Sequence, residues 1–116
     1  MTVDRTPAHL ADMLQFVQEI RGLLADQPLE EFLANRVLCL ATEKLFINLG
    51  EAASRIDVAH CGQMPNVPWR QVIGLRNILA HGYEQVEHET LFNTAARDLP
   101  QLEEALSQEL LRYQPL

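Results

Sequence analysis

Apolar residues recur along this chain at steps of three and four, the period of an α-helix, and the β-leaning runs are too short to make a strand. Leu10, Met13, Leu14, Val17, Ile20 and Leu24 set the first stripe. Thr6 suits its cap and Pro7 its first turn, and the spacing predicts one amphipathic helix to about Ala25. Asp26–Gln27–Pro28 reads as a break and restart, with Asp26 as a candidate cap and Glu30 and Glu31 suited to the positive start of the next helix dipole. Leu29, Phe32, Leu33, Val37, Leu40, Ala41, Leu45, Leu49, Ala52 and Ile56 then predict a single long helix, with Leu38, Cys39, Phe46 and Ile47 off its stripe. A helix apolar over so much of its circumference is either central in a bundle or in contact with another subunit. Gly50, Ala52 and Ala53 are small enough to let another backbone approach closely.

Asp57–Val67 has no clean period and holds Gly62 and Pro65, so it reads as a loop, with Asn66 suited to cap the helix after it. Pro68 opens that helix, in which Val72, Ile73 and Leu79 recur at helical spacing and Leu75 and Ile78 broaden the apolar side. Gly82 is the residue expected just past its end, which puts His81 in the last turn and Tyr83 in the loop beyond. An acidic segment, Glu84–Glu89, leads to a last apolar series: Leu91, Phe92, Ala95, Leu99, Leu102, Leu106 and Leu110. Pro100 predicts a break near Asp98–Leu99, with Asp98 as cap. The expectation is one all-α domain over residues 1–116, an up-and-down bundle of four to five helices.

Composition narrows the class. Hydrophobic residues make up 47 % of the 116, which argues against disorder. No run approaches the ~20 apolar residues of a membrane span, and no basic start precedes an apolar stretch. Cys39 and Cys61 are therefore expected as reduced thiols in a cytoplasmic protein rather than as a disulfide. His60 beside Cys61 matches no zinc spacing, so no metal is expected, and His9 and His88 read as exposed helix residues. The formal net charge of −7 is unusual for a general RNA binder. Positive charge for a phosphate would have to be local, at Arg70 and Arg76, or doubled by a symmetry mate.

The segment Trp69–Tyr83, WRQVIGLRNILAHGY, carries Arg76, Asn77, His81 and Tyr83 among its apolar positions. The spacing is Arg-x4-His-x-Tyr. With Pro68–Trp69 before it, Gly74–Asn77 inside it and Gly50–Ala53 (GEAA) upstream, the chain resembles the HepT-like branch of the HEPN superfamily. Those are small helical ribonuclease toxins paired with minimal nucleotidyltransferase antitoxins in toxin–antitoxin systems of a type VII-like kind. The resemblance implies a homodimer acting on RNA such as tRNA or mRNA, without a metal or other cofactor. It implies Arg76 and His81 as the catalytic pair, with Asn77 in the polar position beside the arginine. It implies Tyr83 as the residue to which the antitoxin attaches AMP, a bulky anionic adduct two residues from His81.

The residue types suit that chemistry. Histidine has an unperturbed pKa of about 6.5 and can move protons at working pH. Arginine stays protonated and its fork matches phosphate oxygens. Asn77 can orient a phosphate or a 2′-hydroxyl. Glu43 and Glu51 are the acids in the inner half of the long helix; either could orient Arg76 through a paired carboxylate, and Glu43 and Arg70 are taken as supporting residues. Five residues at about 100° each set His81 some 140° round an ideal helix from Arg76. Either the helix end unwinds or a second protomer completes the site, so a two-fold dimer through the motif helix and the long helix is expected. Two readings from other classes stand beside this one. A non-catalytic nucleotide- or RNA-binding subunit of a nucleotidyltransferase would fit the acidic charge better, but needs neither Arg76 nor His81. A plain structural dimer leaves Arg76, Asn77 and His81 unexplained.

Overall fold

Helix α1, Thr6–Leu24, buries Leu10, Met13, Val17 and Ile20 completely, the stripe its spacing predicts. Thr6 is already the first helical residue. The capping acceptor lies further back: Asp4 Oδ1 takes the Thr6 N–H at 3.0 Å, which holds that carboxyl below its ordinary range. The computed structural model describes residues 3–81 and 87–114, and of His81 its place in the backbone. Among the described residues there are seven helices and no strand, so the all-α expectation holds. The two helices beyond the expected five are short.

The first of these overturns the single long helix. α2 covers Leu29–Ala34 and α3 covers Arg36–Ser54. Asn35 separates them in extended backbone (φ −100°, ψ 93°), and its Oδ1 accepts the Leu38 N–H at 3.0 Å. Asparagine competes for backbone hydrogen bonds and favours a cap over a helix interior. The break resets the helical phase, so a stripe read straight through it is rotated away from the real one. In α3 the buried positions are Cys39, Thr42, Phe46, Leu49 and Ala53, at steps of three and four, joined by Gly50 and Ala52. Val37 and Leu40, expected on the stripe, face outward, with Val37 79 % exposed. Thr42 is tolerated at full burial because its hydroxyl donates to the Leu38 carbonyl at 2.8 Å. Asp26 is likewise no cap. It takes φ 61°, a left-handed conformation that aspartate tolerates, and turns the chain after α1.

The second short helix, α4 over Val58–Gly62, lies in the segment read as loop. Asp57 caps it through the Ala59 N–H, and α4 meets the C-terminal helix at a nearly buried carboxylate, in a close contact that lacks hydrogen-bond geometry. His60 Nε2 lies 2.8 Å from Glu109 Oε2, and Arg112 Nη1 donates to both Glu109 oxygens at 3.1 and 3.2 Å. The motif helix α5 runs Trp69–His81, with Pro68 just before its first residue. α6 covers His88–Arg97 and α7 covers Leu99–Leu111, broken where Pro100 demands. Asp98 stands at that junction, but its side chain makes no capping bond.

α3 is the centre: α1 and α5 pack most extensively on it, and α2 and α6 also touch it. α7 lies against α1 and α6 and contributes Leu99, Leu102 and Leu106 to the core. Both cysteines are free thiols. Among the described residues no helix is long and apolar enough to cross a membrane.

Candidate functional site

α5 crosses α3 at Gly50. A Cβ placed on Gly50 would overlap Arg76 Cβ and stand 3.0 Å from the Val72 carbonyl oxygen. The glycine of the GEAA segment therefore does what its size suggests, and the residue it admits is Arg76. Packed stem-first on α3, Arg76 reaches Glu51, the next residue of that segment, with Nη1 donating to Oε1 at 2.9 Å. Nε and Nη2 both donate to Asn77 Oδ1, at 3.1 and 2.8 Å. These bonds use three of the five guanidinium N–H groups and leave two for an anion. The pair is partly exposed, with the Arg76 side chain 26 % accessible and Glu51 45 %.

Of the two acids considered for Arg76, Glu51 fills the role, through one oxygen rather than two. Glu43, named as a supporting residue, does not contact Arg76. Its Oε2 lies 2.6 Å from His88 Nε2 and ties the first residue of α6 to α3. The same contact corrects the expectation that His88 is a solvent-exposed residue. His9 is not simply exposed either: its Nδ1 is buried without a hydrogen-bond partner among the described residues.

α5 stays helical to His81, so end-unwinding does not bring His81 over Arg76. Their positions stand about 140° apart round the axis and roughly 7.5 Å apart along it. Arg70, Gly74, Asn77 and His81 instead share one face, at steps of four, three and four. Arg70 and Asn77 are exposed there, and Arg70 has no ion pair among the described residues. Asn77 thus links the two sets, standing on the outer face while its side-chain oxygen holds Arg76. The side chain of His81, and Gly82 and Tyr83 altogether, lie outside the described residues. Among the described residues no cluster of three or more histidine, cysteine or acidic groups is placed to hold a metal.

Apolar spacing does not reveal the other side of Glu51. Asn48, Glu51 and Arg55, at i, i+3 and i+7, line a groove of about 210 Å³ between α3 and α1, whose far wall is Asp12 and Phe16. That polar spacing on α3 is the available signal. A stripe drawn through the α2–α3 break obscures it.

The family model described as "Ribonuclease HepT-like" matches residues 13–109. The protein named "Putative RNase MJ1380" of Methanocaldococcus jannaschii is 30 % identical over 95 residues, covering 82 % of this chain and 87 % of that one. "Probable ribonuclease HepT" of Thermococcus cleftensis is 27 % identical over 94 residues, covering 81 % and 86 %. No solved structure matches. With the family model spanning most of its length, the chain belongs to the ribonuclease HepT-like family.

Proposed function

We propose that this chain is a metal-independent endoribonuclease, the toxin of a pair whose antitoxin is a minimal nucleotidyltransferase. The observation that carries the reading is Arg76. Its stem is seated against a glycine, its guanidinium is oriented by Glu51 and Asn77, and two N–H groups remain to meet a phosphate. In the proposed reaction the RNA 2′-hydroxyl attacks the adjacent phosphorus and the bond to the 5′-oxygen breaks. The products are a 2′,3′-cyclic phosphate and a 5′-hydroxyl. Arg76 meets the negative charge that builds on the phosphoryl oxygens. One His81 takes the 2′-proton and a second His81 protonates the leaving oxygen.

That scheme needs two histidines and so a second protomer. The exposure of α5 supports a two-fold dimer. α5 packs mainly on α3, and only Leu79 among its described residues is buried. Ile78 is 53 % exposed, and Val72, Ile73 and Leu75 are half-buried. Sedimentation as a strict monomer at micromolar concentration would count against the dimer. Tyr83 is the proposed AMP acceptor; equal modification of Tyr83→Phe by the cognate nucleotidyltransferase would sink that assignment.

A second reading, a non-catalytic subunit that binds nucleotide or RNA beside a nucleotidyltransferase, is favoured by the net charge of −7 and by the partial neutralisation of Arg76 by Glu51. RNA cleavage in EDTA separates the two. Wild-type protein should leave cyclic phosphate ends, whereas Arg76→Ala and His81→Ala should not cleave. Intact RNA with all three, from protein free of a Tyr83 adduct, would transfer the case to the second reading.

A further inference from the structure

The groove between α1 and α3 shares a wall with the Arg76 site, because Glu51 lines one and orients the other. Its composition differs from that of a phosphate site. Phe16 presents a half-buried aromatic ring. Around it stand the Asn48 amide, the Asp12 and Glu51 carboxylates and the Arg55 guanidinium. Among the described residues Asp12, Asn48 and Arg55 have no side-chain hydrogen bond or ion pair, and Glu51 uses only Oε1. Asp12 and Arg55 are exposed and Asn48 is half-buried, so these groups are hydrated in the free protein and can exchange that water for a ligand laid against the ring.

Two carboxylates would repel a phosphate but accept hydrogen bonds from N–H donors. An aromatic ring and an amide suit a flat heterocycle, the ring by stacking and the amide by pairing with its edge. At about 210 Å³ the groove falls below the range of drug-sized pockets and suits one small group. We infer that this groove is a base-recognition subsite: it takes one unpaired RNA base that carries an exocyclic amino group, adenine, cytosine or guanine, in preference to uracil. Phe16 stacks on the base, Asn48 and the carboxylates read its amino edge, and Arg55 lies at the rim for the following phosphate. The inference rests on the ribonuclease reading and gives it a sequence preference.

The test uses the full chain carrying His81→Ala, so that binding is measured without turnover. Fluorescence anisotropy compares short homopolymeric RNAs of adenosine, cytidine and uridine. The expected result is weaker uridine binding by roughly five-fold or more, with the difference flattened by Asn48→Ala. Phe16→Leu, which keeps apolar bulk against the core, should weaken all three RNAs and the adenosine one most. Thermal melts confirm that the variants fold. RNA binding whose base preference is absent, or unchanged by either variant, overturns the subsite and leaves the ribonuclease reading standing. No binding of any RNA overturns both.

Discussion

Replacing Gly50 with alanine tests the α3–α5 contact most directly. Two terms oppose each other. Removing a glycine from a helix interior is favourable by about 1 kcal/mol when the new methyl meets nothing. At Gly50 it meets Arg76 Cβ and the Val72 carbonyl, both fixed to the α5 backbone. No side-chain rotation relieves that overlap, so the helices must separate, and forced overpacking costs about 1–3 kcal/mol. The net effect runs from neutral to about 2 kcal/mol destabilising. Gly22 in α1 supplies the internal control, since a Cβ there has no neighbour within 4 Å. Gly22→Ala should raise stability while Gly50→Ala should not. The difference of about 1–3 kcal/mol between them separates their melting temperatures by roughly 4–12 °C. Calorimetry on the two variants reads this directly. Equal stabilisation by both would refute the close approach, and with it the account of how Arg76 is seated. RNA cleavage by Gly50→Ala should fall as well, because separating the helices draws Arg76 from Glu51.

Other changes probe other links. Asn35→Ala removes the α3 cap and should cost about 1 kcal/mol, read from the urea midpoint. Glu51→Gln removes the charge opposite Arg76 and should steepen the salt dependence of RNA binding and lower KM, whereas Glu51→Ala should lower kcat; identical effects would deny Glu51 a positioning role. Burial pushes the thiols of Cys39 and Cys61 above their ordinary value of 9.0. Their folded pKa is raised, so nothing is lost below about pH 9, and stability falls above it as the unfolded chain sheds protons first. Tyr113, raised chiefly by burial, acts in the same direction from a higher starting point. Urea midpoints between pH 7 and pH 10 should fall, and less so in a variant with both cysteines replaced by alanine.

Much of this fold is legible in apolar spacing, and the places where it is not share one cause. The stripes of α1, α6 and α7 are intact: Leu10, Leu91, Leu99, Leu102 and Leu106 are buried, and Leu14, Leu24 and Leu110 are partly buried against the same core. Spacing misleads where a polar side chain, not hydropathy, sets the boundary. Asn35 ends one helix and starts another by accepting a single N–H, and a count of apolar positions passes over it. Beyond that residue the phase carried over from α2 is wrong, which turns Cys39 and Phe46 outward on paper and Val37 inward. The candidate site is a different case. GEAA and Arg76 are each visible in the sequence, but their contact depends on where two helices cross. Glu43 and Glu51 stand on the same helix eight residues apart, and no local rule selects between them. The tertiary partner decides: α5 brings Arg76 to Glu51, and α6 brings His88 to Glu43.

The way α5 is mounted carries a consequence for exchange with solvent. α1, α3, α6 and α7 make a network of contacts among themselves, while α5 leans chiefly on α3. Such a helix can detach as a unit without opening the network behind it, so its opening free energy lies below that of global unfolding. Its backbone amides should accordingly trade hydrogen for deuterium sooner than those around Leu10–Ile20 or Leu99–Leu106. Any second molecule that clamps the helix carrying Arg76 and His81 should slow that exchange first.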